Sequence, residues 1–391
     1  MIMKPPLLLV AGAKGAVGTT VAAAIAAMND SFENIRPWLI TADWANPEIL
    51  RKAAFAGWDL SDNPMSHRIS LQGILLPEYF GDYVSALDAM DVRRPPAEKT
   101  VWRHHIEALS QDIRELVNAN PFHQPILINL LPACAVKNLE ACRTLEEIYQ
   151  KHNPVDFPDL AYLMAAMACR VPIVNFTSNA VECPLVLQEA KKVGIPVCGR
   201  DGKTGQTYLK MVIASALKAR KLPVEGWYSL NILGNEDGRN LSNPEKASGK
   251  LANKTDFLDE ILGYPVGERR YGQSTHKVSI EYYPPRGDQK ESWDVIDFTG
   301  LFGMPMTIRL NMQLRDSILA APMIIDLAIW MNALSGMGRT GLVTELAFYF
   351  KKAIAPASPI AFQDQIEALR QLQQDVINDS FKKEKTGETL T

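Results

Sequence analysis

The sequence has few cysteines and almost no excess of one charge. Five cysteines occur among 391 residues, and they form neither a Cys-x-x-Cys pair nor a spacing typical of zinc ligands. A disulfide framework is therefore not expected, and a reducing cytoplasm is the predicted location. The formal net charge of −3 provides no field that would hold nucleic acid or an anionic membrane surface. A small anionic ligand would need a local basic pocket.

The sequence also has no long apolar run. The N-terminal run Leu7–Val10 is too short for a signal peptide, because glycine follows it at once. The most apolar helical candidate, 318–330, is interrupted by Pro322 and Asp326, so it predicts a buried helix and not a membrane span. The length and the 47% of hydrophobic residues are typical of a globular protein with two domains or one elaborated domain.

Short apolar strands alternate with helices in the first half of the chain. This order is typical of an α/β protein with a Rossmann-like, doubly wound parallel sheet. Asp43 comes just after the second predicted strand. The predicted strands are Leu7–Val10, Trp38–Thr41, Ile126–Leu131, Ile173–Phe176 and Ile195–Cys198.

Two later segments, 276–283 and 306–315, alternate apolar and polar residues with a period of two. This pattern predicts half-exposed strands in a second sheet that is antiparallel or mixed and has one face covered. We therefore expect a nucleotide-binding domain over residues 1–205, an inserted α+β sheet domain over 206–314, and a helical part over 315–391 that completes the first domain.

A glycine-rich loop lies between the first predicted strand and an alanine-rich helix. Its glycines, at positions 12, 15 and 18, would let the backbone approach a pyrophosphate at the helix N-terminus. A Walker A site is excluded, because Gly18-Thr19-Thr20 lacks the Lys-Ser/Thr ending. Asp43 would accept a hydrogen bond from a ribose hydroxyl, which favours NAD over NADP; the alternative is a solvated turn aspartate.

The segment 234–254 combines polar turn residues, a helix start and two lysines. Ser242 and Glu245 have the spacing of a capping box, and the helix is predicted to end near Gly263. Lys250 and Lys254 are four residues apart, beside the apolar face of this helix. They would either face an anion or extend along the edge of a packed helix with their charges in water.

Other polar segments lie at the ends of predicted elements. Each is interpretable as a cap or turn, but together they gather lysines and aspartates where binding sites form. These segments are 199–207, 287–290, 316–317 and 351–352.

Five of these motifs, in this order, resemble the signature of myo-inositol-1-phosphate synthases, also called inositol-3-phosphate synthases. The resemblance is dense over residues 171–356, and its order and spacing are most similar to the short archaeal and bacterial members. The motifs are Asp201-Gly202-Lys203-Thr204-Gly205-Gln206-Thr207, Asn231-Ile232-Leu233-Gly234-Asn235-Glu236-Asp237-Gly238 with Asn240-Leu241-Ser242, Gly287-Asp288-Gln289-Lys290, Asp316-Ser317-Ile318-Leu319-Ala320-Ala321-Pro322 and Ala347-Phe348-Tyr349-Phe350-Lys351.

The resemblance implies an isomerase that converts D-glucose 6-phosphate to 1D-myo-inositol 3-phosphate with a bound NAD that is regenerated. It implies oxidation at C5, enolisation at C6 with aldol closure onto C1, and return of the hydride to C5. An enolate and an alkoxide need cationic donors, and lysine also acts as a base when burial and neighbouring cations lower its pKa. The family further implies a homotetramer built through the inserted domain, and some members use a monovalent or divalent cation.

The resemblance also implies roles for individual residues. Catalytic roles fall on Lys250, Lys254, Lys290, Lys351, Asp201, Asp237 and Asp316. Substrate contacts fall on Thr204, Asn235, Asp237, Ser242, Lys254 and Lys290. Cofactor contacts fall on Gly12, Lys14, Gly15, Ala16, Val17, Gly18, Thr19, Asp43, Asp59, Asn129, Asn175, Thr177, Ser178 and Asp201. No dedicated metal cage is expected, although Asp201 and Asp316 would be able to contribute to a cation site.

The chain departs from the family pattern at 130–134, at 179–183 and around Gly249, where a charged or bulky family position is small, and these positions are predicted to border the pocket. The first two stretches bear on the choice of substrate. They motivate a first alternative, a paralogous enzyme that acts on another sugar phosphate. A catalytically silent NAD-binding or assembly protein is a second alternative, and the retention of all four lysines argues against it. An oxidoreductase with net NADH production is a third.

Overall fold

The computed structural model describes residues 3–97, 101–134, 139, 142–235, 238, 258–354 and 358–385. A parallel sheet is formed by β1 Pro6–Ala11, β2 Ala54–Trp58, β3 Asp91–Arg93, β4 Gln124–Asn129, β5 Ile173–Asn175, β6 Pro196–Gly199 and β11 Gly341–Leu342. Their order is β3-β2-β1-β4-β5-β6-β11, with every pairing parallel. This is the strand order of a doubly wound Rossmann-like sheet. The predicted α/β class is confirmed.

Helices cover both faces of the parallel sheet, and the alternation of β1 shows how. Leu8 and Val10 pack into one apolar cluster, while Leu7 and Leu9 pack into another on the opposite face. The helices are α1 Ala16–Asp30, α2 Pro47–Leu50, α3 Met65–Gln72, α4 Val84–Asp88, α5 Trp102–Ala119, α6 Leu145–Lys151, α7 Pro158–Ala168, α8 Pro184–Val193, α9 Gln206–Ala219, α10 Glu268–Tyr271, α11 Asp316–Gly336 and α12 Phe362–Lys385, and residues 258–262 are also helical.

The second predicted strand is wrong. Residues Arg36–Trp38 and Ile40–Asp43 form 3-10 turns, and the second strand of the sheet is β2. The carboxylate of Asp326 in α11 accepts the backbone N–H of Thr41 at 2.9 Å and its hydroxyl at 2.6 Å. These bonds satisfy the polar groups of Thr41, which therefore need no neighbouring strand. Asp43 is therefore exposed in a turn and does not lie at a strand end.

Helix α11 is the central helix of one layer. It continues through Pro322, which the sequence predicted as an interruption, and most of it is buried. Among the described residues it is the helix whose length and apolar composition would suit a membrane, and 72% of its most apolar 18-residue window is buried within the protein. The prediction of a buried helix is confirmed.

The second sheet is mixed. It consists of β7 Val224–Leu233, β8 His276–Tyr282, β9 Lys290–Thr299 and β10 Pro305–Leu314, in the order β10-β9-β7-β8. Strands β7 and β8 are parallel, whereas β9 is antiparallel to both of its neighbours. The two strands predicted from the period of two are present, and β7 and β9 were not predicted. Helix α9 and residues 258–262 cover one face of the sheet.

Candidate active site

The glycine loop follows β1 and is held against the end of β2. The backbone N–H groups of Gly12 and Ala13 both donate to the carbonyl oxygen of Trp58, at 2.9 and 3.0 Å. Gly12 has φ +86°, and a Cβ atom there would lie 2.9 Å from the carbonyl oxygen of Leu130. Only glycine fits this turn without strain.

The N-terminus of α1 faces the space above this loop. Gly15 caps the helix, and a Cβ atom on Gly18 would lie 2.5 Å from the carbonyl oxygen of Ala13. The helix therefore packs tightly on the turn, and Ala16 and Val17 lie in its first turn. The N–H groups of a first turn have no partner within the helix, and the helix dipole favours an anion there. These residues fit the pyrophosphate of a dinucleotide.

Asp59 occupies the strand-end position that the sequence assigned to Asp43. It follows β2 directly, and its carboxylate accepts the backbone N–H groups of Lys14 at 2.8 Å and Ser61 at 2.9 Å. The Lys14 ammonium donates to the carbonyl oxygen of Ser61 at 2.9 Å. An acid at the end of the second strand is the typical ribose acceptor of a Rossmann fold. Asp59 has this geometry, and Asp43 does not.

Helix α3 supports the glycine loop, which the sequence did not reveal. The side-chain amide of Gln72 donates to the carbonyl oxygen of Lys14 at 2.8 Å and accepts the hydroxyl of Thr19 at 2.5 Å. Arg68 donates to the same carbonyl oxygen at 3.3 Å. Hydrogen bonds from α3 and from the end of β2 thus both hold the glycine loop in place.

Asn129 and Asn175, at the ends of β4 and β5, are fully buried. The Asn129 amide donates to Asp159 at 2.7 Å and to the Asn175 side chain at 3.0 Å. Thr177 is buried, and its carbonyl oxygen accepts the backbone N–H of Asp201 at 2.9 Å; Ser178 is partly exposed. The four predicted residues therefore lie at one edge of the sheet.

Asp201 and Lys351 form one half of a charged cluster at this edge. The Lys351 ammonium donates to the Asp201 carboxylate at 3.1 Å, and the backbone N–H of Lys351 donates to the carbonyl oxygen of Asp201 at 2.6 Å. An antiparallel bridge between Gly202 and Phe350 joins the same two segments. The backbone thereby fixes the spacing of two residues that are far apart in sequence.

Asp316 is the centre of the other half. It begins α11 and accepts the Thr204 hydroxyl at 2.7 Å and the Lys290 ammonium at 3.3 Å. Desolvation raises the pKa of Asp316, but the charges of Lys290 and Lys351 outweigh it and hold this pKa below its usual range. Lys351 thus acts on both aspartates, and the two halves form a single site.

Asp288 is a titratable member of this site that was not predicted from the sequence. Desolvation raises its pKa to about 6, the hydrogen bond from Asn235 opposes the rise, and the charge of Asp316 adds to it. The Asn235 amide donates to Asp288 at 3.2 Å, and the other Asp288 oxygen is buried without a hydrogen-bond partner. Its place between Gly287 and Lys290 in one motif was the available signal.

Four predicted site residues lie outside the described residues: Lys250, Lys254, Asp237 and Ser242. Within the described part of the chain, no group of three or more His, Cys, Asp or Glu side chains has the arrangement of a metal site. The contribution of Asp201 and Asp316 to a cation site stays a prediction.

Sequence comparison finds similarity to inositol phosphate synthases. Residues 205–317 match the family model of myo-inositol-1-phosphate synthase. The chain is 36% identical over 252 residues to inositol-3-phosphate synthase 1 of Bacteroides thetaiotaomicron, a match that covers 63% of this chain and 59% of that protein. It is 27% identical over 316 residues to a probable inositol 3-phosphate synthase isozyme 3 of Arabidopsis thaliana, with coverages of 73% and 59%. The chain thus spans about three fifths of the length of these relatives.

Solved structures share the fold. The inositol-3-phosphate synthase of Caenorhabditis elegans superposes with a TM-score of 0.80 at 19% identity, over 96% of this chain and 85% of that one. A myo-inositol-1-phosphate synthase-related protein from Thermotoga maritima superposes with a TM-score of 0.75 at 19% identity, over 95% and 98%. The sequence matches confirm the resemblance that the motifs predicted, and the solved structures show that the fold is shared.

Proposed function

We propose that this protein converts D-glucose 6-phosphate to 1D-myo-inositol 3-phosphate as an NAD-dependent inositol-3-phosphate synthase. The observation that carries the proposal is the single cluster in which Lys351 and Asp201 meet Lys290, Asp316 and Thr204. Two cations and two paired carboxylates at the carboxyl edge of a Rossmann-like sheet suit a reaction that develops negative charge beside a dinucleotide.

NAD is the proposed cofactor, because the glycine loop fits its pyrophosphate and Asp59 fits its ribose. When bound, the cofactor would supply reversible hydride acceptance. The chain's own contribution is to hold the dinucleotide between the N-terminus of α1 and the strand ends. The turn at Gly12 and the close packing at Gly18 leave no room for a Cβ atom at either position, so the backbone of the loop stays open to the ligand.

Lys351 is the proposed proton carrier at the sugar's C5 oxygen, together with Lys250. The carboxylate of Asp201 orients the Lys351 ammonium and balances its charge. In its neutral form either lysine would accept the C5 hydroxyl proton as a general base. In its protonated form the same side chain stabilises an oxyanion at C5 or C1.

Lys290 is the proposed contact to the sugar oxygens, held in place by Asp316. Thr204 lies just before α9 and is available, with Lys254 and Asn235, for the phosphate. The Thr204 hydroxyl donates to Asp316, so binding a phosphate oxygen would require its proton to turn from the carboxylate to the ligand. Asp237 and Ser242 complete the proposed substrate set.

A homotetramer in the cytoplasm is the proposed state. The outer face of the second sheet presents large side chains to solvent, among them Tyr228 at 47% and Trp293 at 49% exposure. An exposed face of this kind suits association with a second copy of the chain. An activating monovalent or divalent cation belongs to the same proposal.

A paralogous NAD-dependent cyclase that acts on another sugar phosphate is the second candidate. The stretch 179–183 departs from the family pattern, and its Asn179 and Glu182 are buried next to the strand ends. A change at this edge would alter the pocket beside the cofactor. A silent NAD-binding homologue is disfavoured, because it would have no need of the Lys351–Asp201 and Lys290–Asp316 pairs.

The decisive experiment incubates the purified protein with glucose 6-phosphate and catalytic NAD and follows products by NMR. Inositol phosphate without net NADH is the expected result. Tight NAD binding without this product would favour the paralogue or the silent homologue, and stoichiometric NADH would favour an oxidoreductase.

The variant Lys250→Ala should abolish turnover and leave NAD binding intact, because the proposed role of Lys250 is proton transfer and not cofactor binding. Turnover is followed by NMR and NAD binding by fluorescence. An active Lys250→Ala protein would contradict the role given to Lys250.

A further inference from the structure

A buried polar network joins the ends of β4, β5 and β6. It contains two carboxyl groups, Asp159 from α7 and Glu182 from the loop before α8, and both side chains are almost fully buried. Three asparagines from the strand ends and loops donate to these acids. Burying polar groups is costly unless they are hydrogen-bonded or paired with a charge, so the network favours one conformation of these loops. Glu182 Oε2 has no hydrogen-bond partner among the described residues and lies beside the charge of Arg200 instead.

Asp159 fixes the β4 side. It accepts the Asn129 amide at 2.7 Å and the Asn179 amide at 3.0 and 3.1 Å. The side-chain oxygen of Asn179 accepts the backbone N–H of Cys134 at 2.9 Å, and its amide also donates to the carbonyl oxygen of Pro132 at 2.9 Å. The loop after β4 is therefore fastened to the loop after β5.

Glu182 fixes the β5 and β6 side. One of its oxygens accepts the Asn175 amide, and the other lies 3.5 Å from the Arg200 guanidinium. Its carboxyl group also fills the space above β6, since a Cβ atom on Gly199 would lie 2.7 Å from it. Arg200 precedes Asp201 directly, so the carboxyl of Glu182 connects the end of β5 with the residue that orients Lys351.

The amide and carbonyl groups of Asn129 and Asn175 are occupied within this network. Asn129 donates twice and accepts the backbone N–H of Leu131 at 3.2 Å, while Asn175 donates to the carbonyl oxygen of Asn179 at 3.0 Å as well as to Glu182. Both are fully buried. Their side chains therefore shape the pocket edge, and a direct contact of either residue with the cofactor stays a prediction.

We propose that Glu182, acting through Arg200 and Asn175, is a positioning residue that holds the nicotinamide side of the cofactor pocket in register with Asp201. The inference rests on the proposed NAD-dependent function. The second half of a Rossmann sheet receives the second nucleotide of the dinucleotide, which places these strand ends beside the nicotinamide.

The charge of Glu182 has a defined set of neighbours. Burial raises the pKa of Glu182, and the positive charge of Arg200 opposes this rise, while Asp159 adds to it. Burial, and then the charge of Glu182, raise the pKa of the Cys198 thiol well above its usual value. Within the described part of the chain, Arg200 is the cation that acts on Glu182, and the pairing of these two residues is the contact to test.

The test is a double-mutant cycle with Glu182→Gln, Arg200→Gln and the double variant. Glu189→Gln is the matched control, because Glu189 lies on α8 and pairs with Lys192 at the surface. Arg200→Lys is the rescue variant, since it keeps the charge. The NAD+ dissociation constant is measured by fluorescence quenching on the full chain, and kcat and KM for glucose 6-phosphate are measured separately.

Each single variant should weaken NAD+ binding and lower kcat by about tenfold, with KM for the sugar phosphate nearly unchanged. The double variant should lose no more than either single variant, Arg200→Lys should recover most of the loss, and Glu189→Gln should behave as wild type. Additive losses, or a Glu182→Gln protein with wild-type NAD+ affinity and kcat, would overturn the proposal. Equal losses of thermal stability and activity without recovery by Arg200→Lys would also overturn it.

Failure of the proposed function is detected in the wild-type protein and does not depend on the variants. A wild-type protein that binds NAD+ but forms no inositol phosphate contradicts that function, whereas the cycle on NAD+ affinity still decides whether Glu182 and Arg200 act together.

Discussion

The two sheets of this protein place their polar groups in different ways. The parallel sheet is covered on both faces, and β1 is buried and apolar along its whole length. Its functional side chains stand beyond the strand ends. The mixed sheet is covered on one face only, and that buried face carries Ser229, Asn231, Ser292 and Asp294. The parallel sheet supports a site at its edge. The mixed sheet instead carries a polar network on its buried face.

The buried face of the mixed sheet is organised around Asp294. This carboxylate accepts the Trp227 indole N–H at 2.8 Å, the Ser229 hydroxyl at 2.5 Å and the Gln206 amide at 2.9 Å. Lys210 donates to the same Ser229 hydroxyl at 3.0 Å. Gln206 opens α9, so this network fixes the helix that follows the Thr204 loop.

The largest expected effect comes from Asp316, which connects Lys290 of the mixed sheet with the site at the edge of the parallel sheet. In Asp316→Asn the hydrogen bond from Thr204 can persist, but Lys290 loses its counter-charge. Turnover should fall at least about 100-fold, because the cation is no longer held where charge develops. Steady-state kinetics measures the loss, and NAD+ binding, followed by fluorescence, should stay near the wild-type value. Wild-type turnover would show that the mixed-sheet lysine acts without Asp316.

The next prediction concerns the parallel-sheet side alone. A Cβ atom in Gly18→Ala would lie 2.5 Å from the Ala13 carbonyl oxygen, so the turn must shift. We expect a loss of about 1–3 kcal/mol in the free energy of unfolding, and weaker NAD+ binding. Gly81→Ala is the matched control, since no atom lies within 4 Å of its added Cβ. Urea titration and fluorescence decide the outcome; equal behaviour of the two variants would contradict the close packing.

The mixed-sheet side should show a pH dependence of its own. Burial lowers the pKa of Lys210 to about 8, with Asp294 opposing the shift. Between this value and the usual lysine pKa the unfolded chain binds a proton that the folded chain does not, so stability should rise with pH by at most about 1.4 kcal/mol per unit. Lys210→Met should flatten this rise in urea titrations at several pH values. An unchanged slope in that variant would exclude Lys210 as its source.

The parallel-sheet side should show the opposite dependence, with a smaller amplitude. Burial raises the pKa of Asp326 to about 6, and the hydrogen bonds from Thr41 and Ile40 oppose the rise. The folded chain holds this proton longer than the unfolded chain, so the stability is present at acidic pH and is lost as the pH rises toward 6. Asp326→Asn should remove that loss, as thermal unfolding between about pH 4 and about pH 7 would show. Persistence of the loss would point to another acid.

The sequence predicted several buried apolar strands, missed β7 and β9, and was wrong about the second strand of the parallel sheet, where packing decides. The run Trp38–Thr41 has high β propensity, yet it forms turns because Asp326 satisfies its N–H groups. The true second strand contains Ala54, Ala56 and Gly57, which have low β propensity. At Gly57 a Cβ atom would lie 2.1 Å from the Val10 carbonyl oxygen, so the close approach of β1 selects the strand.

The part of the site that lies within recognisable sequence motifs was predictable. Asp201, Thr204, Lys290, Asp316 and Lys351 come together as one cluster, although their roles stay predictions. Asp288, Gln72 and the acids Asp159 and Glu182 were missed as functional candidates, because single buried carboxyls and amides have no sequence periodicity. Their partners lie on other elements, and only the fold brings them within hydrogen-bond distance.

The separation of the charged pairs along the chain has a consequence for folding kinetics. Lys290 and Asp316 are 26 residues apart, whereas Asp201 and Lys351 are 150 residues apart. Closing the longer loop costs more chain entropy, and contacts of this kind form after local helices and hairpins. The Asp201–Lys351 pair therefore completes the site late, and a refolding chain regains its helical signal before its turnover.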